Sequence, residues 1–305
     1  MYRQVLRQFG FKPKKRLGQH FLVDEAVLEH ILSAAKLDPG DIVVEVGAGL
    51  GILTDVLAKQ GARVIAVELD YKLVALLKKR LAAFPKVKIV HADILKITPQ
   101  RLLQNNLSAS ELARGYKVIA NLPYYITSPV LHHFLEAQPR PSEMVVMVQK
   151  EVGEAIAAAP GKMSLISVKT QFYSKPAIIS YVPAASFYPP PKVKSVILHL
   201  DVYSQPPIEV SDVAGFFDIV MHGFSSPRKQ LRNSLAHSLQ IPTSLVTSLL
   251  KQAGIDAKRR AETLSLEEWR ELWLTFTLCL CLPTLSEGSR DSSVAALPQS
   301  DIKDE

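Results

Sequence analysis

The sequence contains few of the residues that support disulfide or metal chemistry. Its two cysteines, Cys279 and Cys281, lie one residue apart in an apolar stretch, where they would point to opposite sides of a strand or far apart around a helix. A disulfide is therefore not expected, and a reducing compartment such as the cytoplasm fits. No spacing typical of metal ligands occurs, so no metal is expected.

Long hydrophobic runs are also missing. The longest, Leu272 to Leu282, is broken by two threonines and is too short to span a bilayer. The basic N-terminus lacks the apolar core of a secretory signal, and an organellar transit peptide is the remaining alternative. We therefore expect no membrane partner.

Basic residues outnumber acidic ones, which is compatible with a polyanionic partner. Lys and Arg number 36 against 29 Asp and Glu, for a net charge of +7 over 305 residues. The cations cluster over 3–16, at Arg228, Lys229 and Arg232, and over 258–260. Each cluster alone is more typical of a solvated face. With 48% hydrophobic residues, the chain can bury a core, and its length predicts one large and one small domain.

A glycine-rich turn follows the first strand of a predicted βαβ unit. The strand, 42–46, runs into Gly47-Ala48-Gly49-Leu50-Gly51, and a helix and a second strand, 63–68, come next. The second strand ends in Glu68, about twenty residues past the first glycine, where nucleotide-binding units carry the acid that binds ribose hydroxyls. The pattern predicts a nucleotide-type site.

The glycine spacing favours a ligand without a pyrophosphate. In the dinucleotide fingerprint a third glycine comes three places after the second, but Gly51 follows Gly49 by two places and Ile52 takes the fingerprint position. S-adenosylmethionine is such a ligand. Its amino-acid tail would bind at the glycine turn, and its ribose would bind Glu68. Its adenine amine would donate to Asp93, which ends a third predicted strand. An NAD-type or unliganded α/β domain is the alternative.

The fourth predicted strand runs into Asn121-Leu122-Pro123-Tyr124, at the edge where open α/β sheets build their sites. An exocyclic aromatic amine is a poor nucleophile because its lone pair is delocalised into the ring. The Asn121 side-chain oxygen and a backbone carbonyl such as that of Leu122 can accept the two amine hydrogens and favour the pyramidal nitrogen that attacks. Tyr124 would stack on the ring. The alternative is an Asn-capped turn stiffened by proline.

A proline-rich segment, 186–193, separates the last two predicted strands. Such a segment is usually a rigid connector or a ligand for a partner. Here the prolines would stiffen a loop that places Phe187 against the second face of a ring stacked on Tyr124. Given the other motifs, we favour this aromatic clamp over the connector.

Together the patterns predict an α/β fold with a doubly wound sheet of seven strands, the last ones antiparallel at an edge. In the first part of the chain, helices are expected after a cap at Asp24, after a cap at Ser128, over 151–159 and over 164–172. After a boundary at 204–207, a small all-helical region is predicted from patterns over 213–222, 228–238, 245–254 and 266–274. Residues 283–305 have the composition of a disordered tail.

These motifs resemble, from about residue 12 to 275, those of the KsgA-type ribosomal small-subunit (16S) RNA adenine N6,N6-dimethyltransferases. The matching segments are Gly18–Leu22, Glu45–Gly49, Val67–Asp70, His91–Asp93, Asn121–Tyr125, Phe187 with Pro189–Val193, and Arg232–Leu235. The resemblance implies a class I (Rossmann-like) methyltransferase fold with S-adenosylmethionine as cofactor. It also implies that two adjacent adenosines, in a hairpin loop near the 3′ end of 16S rRNA in the immature small subunit, each receive two methyl groups.

The resemblance assigns roles to individual residues. The implied cofactor contacts are His20, Leu22, Gly47, Glu68, Asp93 and Asn121. The implied catalytic residues are Asn121, Leu122, Tyr124 and Phe187. The implied RNA contacts are Arg228, Lys229 and Arg232. Two positions depart from the pattern: bacterial members often carry Asn where His20 stands, and a doubled Arg before Lys where Pro227-Arg228-Lys229 stands.

The implied organisation is a flexible basic arm over 1–16, a methyltransferase domain over 17–204, a helical RNA-binding domain over 205–282 and the tail over 283–305. We expect a cytoplasmic monomer.

Three other functions share parts of this pattern. A 23S rRNA adenine methyltransferase of the macrolide-resistance kind usually has Ile in place of Leu122, and its helical domain differs from one carrying Arg232–Leu235. A DNA adenine methyltransferase commonly has Pro in place of Leu122. A ribosome-assembly or transcription factor that lost catalysis would not need the intact cofactor positions.

Overall fold

The computed structural model describes Lys14 and residues 18–281, without the side chains of residues 280 and 281. The predictions of a basic arm over 1–16, apart from Lys14, and of a tail over 283–305 fall outside the described residues. No helix in the described range is long and apolar enough to cross a membrane.

Seven strands form one mixed sheet, as predicted. The strands of the chain are β1 (Phe21–Leu22), β2 (Ile42–Val46), β3 (Arg63–Glu68), β4 (Val87–His91), β5 (Lys117–Asn121), β6 (Glu143–Gln149), β7 (Ser174–Val182), β8 (Phe187–Tyr188) and β9 (Ser195–Val202). The order in the sheet is β4-β3-β2-β5-β6-β9-β7. The first five strands in this order pair in parallel, and β9 pairs antiparallel with β6 and with β7. The doubly wound sheet with an antiparallel edge is therefore confirmed.

Helices cover both faces of the sheet and continue into a C-terminal helical region. They are α1 (Glu25–Ala35), α2 (Ile52–Lys59), α3 (Tyr71–Arg80), α4 (Pro99–Gln104), α5 (Ala109–Leu112), α6 (Thr127–Leu135), α7 (Lys150–Ile156), α8 (Leu165–Tyr173), α9 (Val213–Phe224), α10 (Leu231–Leu239), α11 (Thr243–Gln252) and α12 (Leu266–Cys281). Asp24 caps α1 as predicted, since its side chain accepts a hydrogen bond from the Ala26 N–H.

Several predicted helix boundaries were wrong, and the helix expected over 151–159 ends at Ile156. Ser128 is not a cap, because α6 begins at Thr127 directly after a 3₁₀ turn over Tyr124–Ile126. The helix expected from Arg228 begins only at Leu231, because the Lys229 N–H bonds the Ser226 carbonyl in a preceding turn. The last helix continues past residue 274 to 281, and two threonines inside it donate their hydroxyl protons to carbonyls four residues earlier.

The C-terminal helices share a core with the sheet. Phe172 of α8 stacks on Phe216 of α9, with ring centroids 5.3 Å apart, and meets Phe217 edge-on at 5.1 Å. One apolar cluster contains these rings, the fully buried Trp269 of α12 and residues of β5, β6 and β9. Because α8 also contacts β7, this packing places the helical region beside the half of the sheet that lies away from β4.

Ser234 joins α9 to α10 next to the turn that carries Arg228 and Lys229. Its hydroxyl is buried, donates to the Gly223 carbonyl at 2.8 Å and accepts from the Ser226 N–H at 3.1 Å. A single hydroxyl therefore satisfies the hydrogen-bonding needs of a carbonyl at the end of α9 and of an N–H at the start of the turn.

We expect Ser234→Ala to lower the free energy of unfolding by about 1–3 kcal/mol, because a buried carbonyl and a partly buried N–H lose their partner. Urea unfolding measures this. Ser244→Ala, at an exposed position of α11, is the control and should stay within about 0.5 kcal/mol of the parent. Equal stabilities for the two variants would contradict this account of the joint.

Candidate active site

A cavity of about 370 Å³ opens at the carboxyl ends of β2, β3, β4 and β5. This size is in the range of pockets for small ligands. The predicted cofactor residues all line it, namely His20, Leu22, Gly47, Glu68, Asp93 and Asn121. Leu122 and Tyr124 line it as well, whereas Phe187 does not.

The turn after β2 forms the floor of the cavity, and its glycines are required by geometry. The Gly47 N–H donates to the Val67 carbonyl at 2.8 Å, which holds the turn against β3. Gly49 has φ 59°, and a Cβ there would lie 3.2 Å from the Phe21 ring. A side chain at Gly49 would therefore be strained and crowded.

Glu68 is held by two backbone donors at the end of β3. Its Oε2 accepts from the Gly49 N–H at 2.9 Å, and its Oε1 accepts from the Asp70 N–H at 2.8 Å. Burial raises the pKa of Glu68, and these N–H groups oppose the rise. Because each carboxylate oxygen has a second lone pair, Glu68 can still accept from a vicinal diol.

Asp93 follows β4 on the same rim. Its Oδ1 accepts from the Leu95 N–H at 3.1 Å and caps the 3₁₀ turn over Ile94–Lys96. Its other oxygen has no hydrogen-bond partner within the described chain and is available to an amine.

Asn121 ends β5, and its carboxamide is oriented by the chain itself. The Nδ2 group donates to the His20 carbonyl at 3.2 Å. This bond leaves Oδ1 as an acceptor without a donor among residues 18–281. Leu122 is tied to β6 by its N–H, which donates to the Met147 carbonyl at 3.1 Å.

Tyr124 presents a half-buried ring beside Asn121. Its hydroxyl lies 2.6 Å from the Ser195 Oγ, and the His20 ring stacks on it at 5.7 Å between centroids with a 24° tilt. His20 Nδ1 in turn donates to the Pro189 carbonyl at 2.7 Å. The sequence predicted His20 only as a cofactor contact, whereas its side chain connects Tyr124 to the proline-rich segment.

Phe187 is buried and does not line the cavity. Pairing of β8 with β1 sets Phe187 opposite Leu22, and its side chain is only 1% exposed within an apolar cluster. The structure therefore brings together Asn121, Leu122 and Tyr124 but places Phe187 outside the cavity. A second clamp face at Phe187 stays a prediction.

The predicted RNA contacts lie on the helical region. Arg228 and Lys229 are exposed and form no salt bridge with a described residue. Arg232 is half-buried, and its Nε has no hydrogen-bond partner among the described residues. Arg259, from the third basic cluster, instead pairs with Glu268 and serves the fold.

Comparison with known proteins agrees with this geometry. A profile described as "Ribosomal RNA adenine dimethylase" matches residues 10–277. The chain belongs to this family. The "Ribosomal RNA small subunit methyltransferase A" of Dehalococcoides mccartyi is 45% identical over 274 residues, covering 90% of this chain and 92% of that protein. The protein of the same name from Moorella thermoacetica is 42% identical over 271 residues, covering 88% and 94%.

Solved structures show the same fold. A dimethyladenosine transferase from Plasmodium falciparum superposes with a TM-score of 0.71 at 24% identity, covering 85% of this chain and 98% of that one. The 23S rRNA methyltransferase ErmE superposes with a TM-score of 0.65 at 26% identity, covering 84% and 99%. The predicted class I methyltransferase fold, the rRNA adenine dimethyltransferase activity and the donor S-adenosylmethionine are confirmed by the family.

The cavity of this adenine dimethylase suits the charge of that donor. Among the described residues no Lys or Arg lines the cavity, whereas Glu68 and Asp93 do. A pyrophosphate would find no cationic partner in such a cavity, but a sulfonium cation is favoured there. The alternative of an NAD-type site is excluded by the family, whose methyl donor is S-adenosylmethionine.

Glu45 is a site residue whose role the sequence did not indicate, although it is the single acid in the apolar strand β2. It lines the cavity, is buried, and accepts a hydrogen bond from the Thr54 hydroxyl at 2.6 Å. Burial raises the pKa of Glu45 to about 8, with a further rise from Glu68 and opposition from Thr54. Glu45 is thus neutral at the bottom of the cavity at pH 7 when no ligand is bound.

Lys14 and Asp70 form a second group that the sequence did not reveal. Lys14 Nζ lies 2.7 Å from Asp70 Oδ2, and the Asp70 side chain is 0% exposed. The Lys14 backbone N–H donates to Gln19 Oε1 at 2.8 Å. Burial alone would raise the pKa of Asp70, but the Lys14 ammonium, the Lys72 N–H and Gln19 together lower it below its usual value. Lys14 thus links Gln19, on the cavity wall, to Asp70, whose N–H orients Glu68.

We expect Lys14→Met to weaken donor binding about tenfold, roughly 1.4 kcal/mol, because the buried Asp70 carboxylate loses its counter-ion and Glu68 loses its fixed position. Titration calorimetry without RNA measures the donor Kd. The control is Lys59→Met, which removes the exposed i,i+4 pair with Asp55 and should leave the Kd unchanged. A parent-like Kd for Lys14→Met would contradict the role of this pair.

We expect Glu45→Gln to flatten the pH dependence of stability. Between the usual carboxyl pKa and about 8, the native state holds a proton on Glu45 that the unfolded state lacks. The free energy of unfolding therefore falls by about 1.4 kcal/mol per pH unit from this group as pH rises through the window. Urea unfolding between pH 5 and pH 8 without donor (~3 pH units of that window) checks this. Glu29→Gln, exposed on α1, should keep the parent slope, and parallel slopes for both variants would refute the assignment.

Proposed function

We propose that the chain transfers methyl groups from S-adenosylmethionine to N6 of two adjacent adenosines in a loop near the 3′ end of 16S rRNA, within the immature small subunit. Each adenosine receives two methyl groups. The names of the related proteins from Dehalococcoides mccartyi and Moorella thermoacetica support the small subunit as the target. We further propose that the protein acts as a cytoplasmic monomer.

The observation that carries the proposal is the position of the Asn121 Oδ1 acceptor. It lies in the same cavity as Glu68 and Asp93, beside the exposed face of Tyr124. At one end of the cavity, Glu68 and Asp93 can accept hydrogen bonds from the nucleoside part of S-adenosylmethionine. At the other end, Asn121 and Tyr124 can bind the target purine.

The chain's own groups would act by positioning. Asn121 Oδ1 and the Leu122 carbonyl accept the two amine hydrogens and favour a pyramidal nitrogen whose lone pair faces the methyl group. The donor supplies an electrophilic methyl group next to a positive sulfur. No strong base is needed, because the methylated nitrogen is cationic and loses its proton readily.

The target adenine has to leave its stack to reach Asn121. Extrusion costs a few kcal/mol and is easiest in a loop. Stacking on Tyr124 returns about 1–3 kcal/mol. The Ser195 contact and the His20 ring hold Tyr124 in place before the base arrives.

A mapping experiment tests the proposal. The protein is incubated with labelled donor and either immature small subunits, 23S rRNA or DNA, and methylated adenines are located by mass spectrometry. We expect dimethylation of two adjacent adenosines in the small subunit alone. Methylation of 23S rRNA would instead favour the activity for which ErmE is named, that of a 23S rRNA methyltransferase. No methylation of any substrate would overturn the proposal.

We expect Asn121→Ala to lower kcat by about 10²–10³ while RNA affinity changes little, because the lost acceptor acts mainly on the reacting nitrogen. Single-turnover methyl transfer and RNA titration separate the two effects. Asn105→Ala, at an exposed position after α4, is the matched control with parent kinetics. Normal turnover in Asn121→Ala would contradict the acceptor mechanism.

A further inference from the structure

Helix α3 and strand β4 present a surface that is basic only. From residue 71 to residue 92 the sequence contains five lysines, one arginine and no acid. The five lysines are all exposed, and we call them the lysine face: Lys72, Lys78, Lys79, Lys86 and Lys88.

The protein does not neutralise the lysine face. None of its members forms a salt bridge with a described residue, whereas lysines on other surfaces do. Lys59 pairs with Asp55 at 2.7 Å, and Lys117 pairs with Glu143 at 2.7 Å. The nearest acid before the face, Asp70, is buried against Lys14. Five like charges therefore produce a positive field that favours an anionic partner.

The lysines lie along one continuous surface. Lys72 and Lys79 are two helical turns apart, so they share one side of α3 at a separation of about 10 Å. The opposite side of α3 buries Leu73 and Leu77 against the sheet. Helix α3 packs beside β4, which carries Lys88. The face thus runs from the rim of the cavity, just after Asp70, along the edge of the sheet.

The lysine face and the helical region flank the cavity from opposite sides. Strand β4 is one edge of the sheet, and α9 and α12 pack against α8, which contacts β7 at the other edge. The cavity lies between them, at the ends of β2, β3, β4 and β5. An RNA long enough to contact both the turn at Arg228 and Lys229 and the lysine face would therefore pass the cavity that lies between them.

We propose that the lysine face binds the phosphate backbone of the RNA substrate outside the target loop, as a second electrostatic contact separate from Arg228 and Lys229. This inference rests on the proposed function. An RNA backbone fits better than an acidic protein, because the other exposed residues between Lys72 and Lys86 are only alanines and Pro85. The one large exposed hydrophobic side chain of α3 is Tyr71, at the end next to the cavity rim. The surface along the lysines therefore has no cluster of anchors for a protein partner, whereas ammonium groups on flexible stems suit phosphates.

The test is the double charge reversal Lys78→Glu/Lys79→Glu. Its control is Lys162→Glu/Lys175→Glu, which makes the same change in net charge at two exposed lysines, the second on β7 at the opposite edge of the sheet. Binding to immature small subunits, to protein-free 16S rRNA and to a short hairpin with the two adenosines is measured from about 50 to 200 mM salt.

We expect the lysine-face variant to bind the subunit and the protein-free rRNA at least about tenfold more weakly than the control. The plot of log K against log salt should become less steep, its negative slope decreasing in magnitude by about 1 to 2, as expected for one or two lost phosphate contacts. Hairpin affinity and donor Kd should match the control, because the lost contact lies outside the loop and the cavity is intact.

Three outcomes would overturn the inference: parent-like affinity for the subunit, equal losses in both variants, or a loss on the subunit that is absent on protein-free rRNA. The last result would identify an acidic ribosomal protein as the partner. Failure of the proposed function is seen separately, since the unaltered chain would then methylate no small subunit.

Discussion

The parallel register of β4, β3, β2 and β5 is the constraint on which the site depends. Because these strands run in one direction, their carboxyl ends meet at one edge, and their last residues face one cavity. Backbone hydrogen bonds lock this arrangement: the Gly47 N–H to the Val67 carbonyl at 2.8 Å, and the Ala92 N–H to the Glu68 carbonyl at 3.2 Å. The acceptors are therefore in position before a ligand arrives, which is the condition for catalysis by preorganisation.

The distribution of charge separates the two substrates. The cavity contains Glu68 and Asp93 and, among described residues, no Lys or Arg, so it suits a cationic donor. Exposed cations lie outside the cavity, among them Arg228 and Lys229 on their turn and the lysine face. A polyanion is thus attracted to the outer surface and kept out of the donor site, while a single base can enter.

The N-terminal segment connects the two halves of the site. Residues 18–22 line the cavity. The His20 carbonyl accepts a hydrogen bond from the Asn121 side-chain amide, and the His20 ring stacks on Tyr124. Lys14 fixes the donor side through Asp70. The positions of Asn121, which faces the purine, and of Glu68, which faces the methyl donor, therefore depend on the same short stretch of chain.

The sequence predicts the features that are local and misses those that depend on distant contacts. Glu68, Asp93 and Asn121 were predictable because each ends a strand after a recognisable apolar run, and parallel strand ends must converge. The burial of Phe187 was not predictable, because it follows from pairing with Leu22, more than a hundred residues away in the sequence. Glu45 and the Lys14–Asp70 pair were also missed, since a buried carboxylate is recognised only when its partners are placed. Ser128 failed as a cap because a 3₁₀ turn already leads into the helix.

A crystal structure of the protein with S-adenosylhomocysteine tests the central claim most directly, namely that donor and purine meet at the strand ends with Asn121 between them. The account predicts ribose hydroxyls on Glu68, the adenine amine on Asp93, and the sulfur facing Asn121 and the open side of Tyr124. A product bound elsewhere, or one whose sulfur faces away from Asn121, would contradict it.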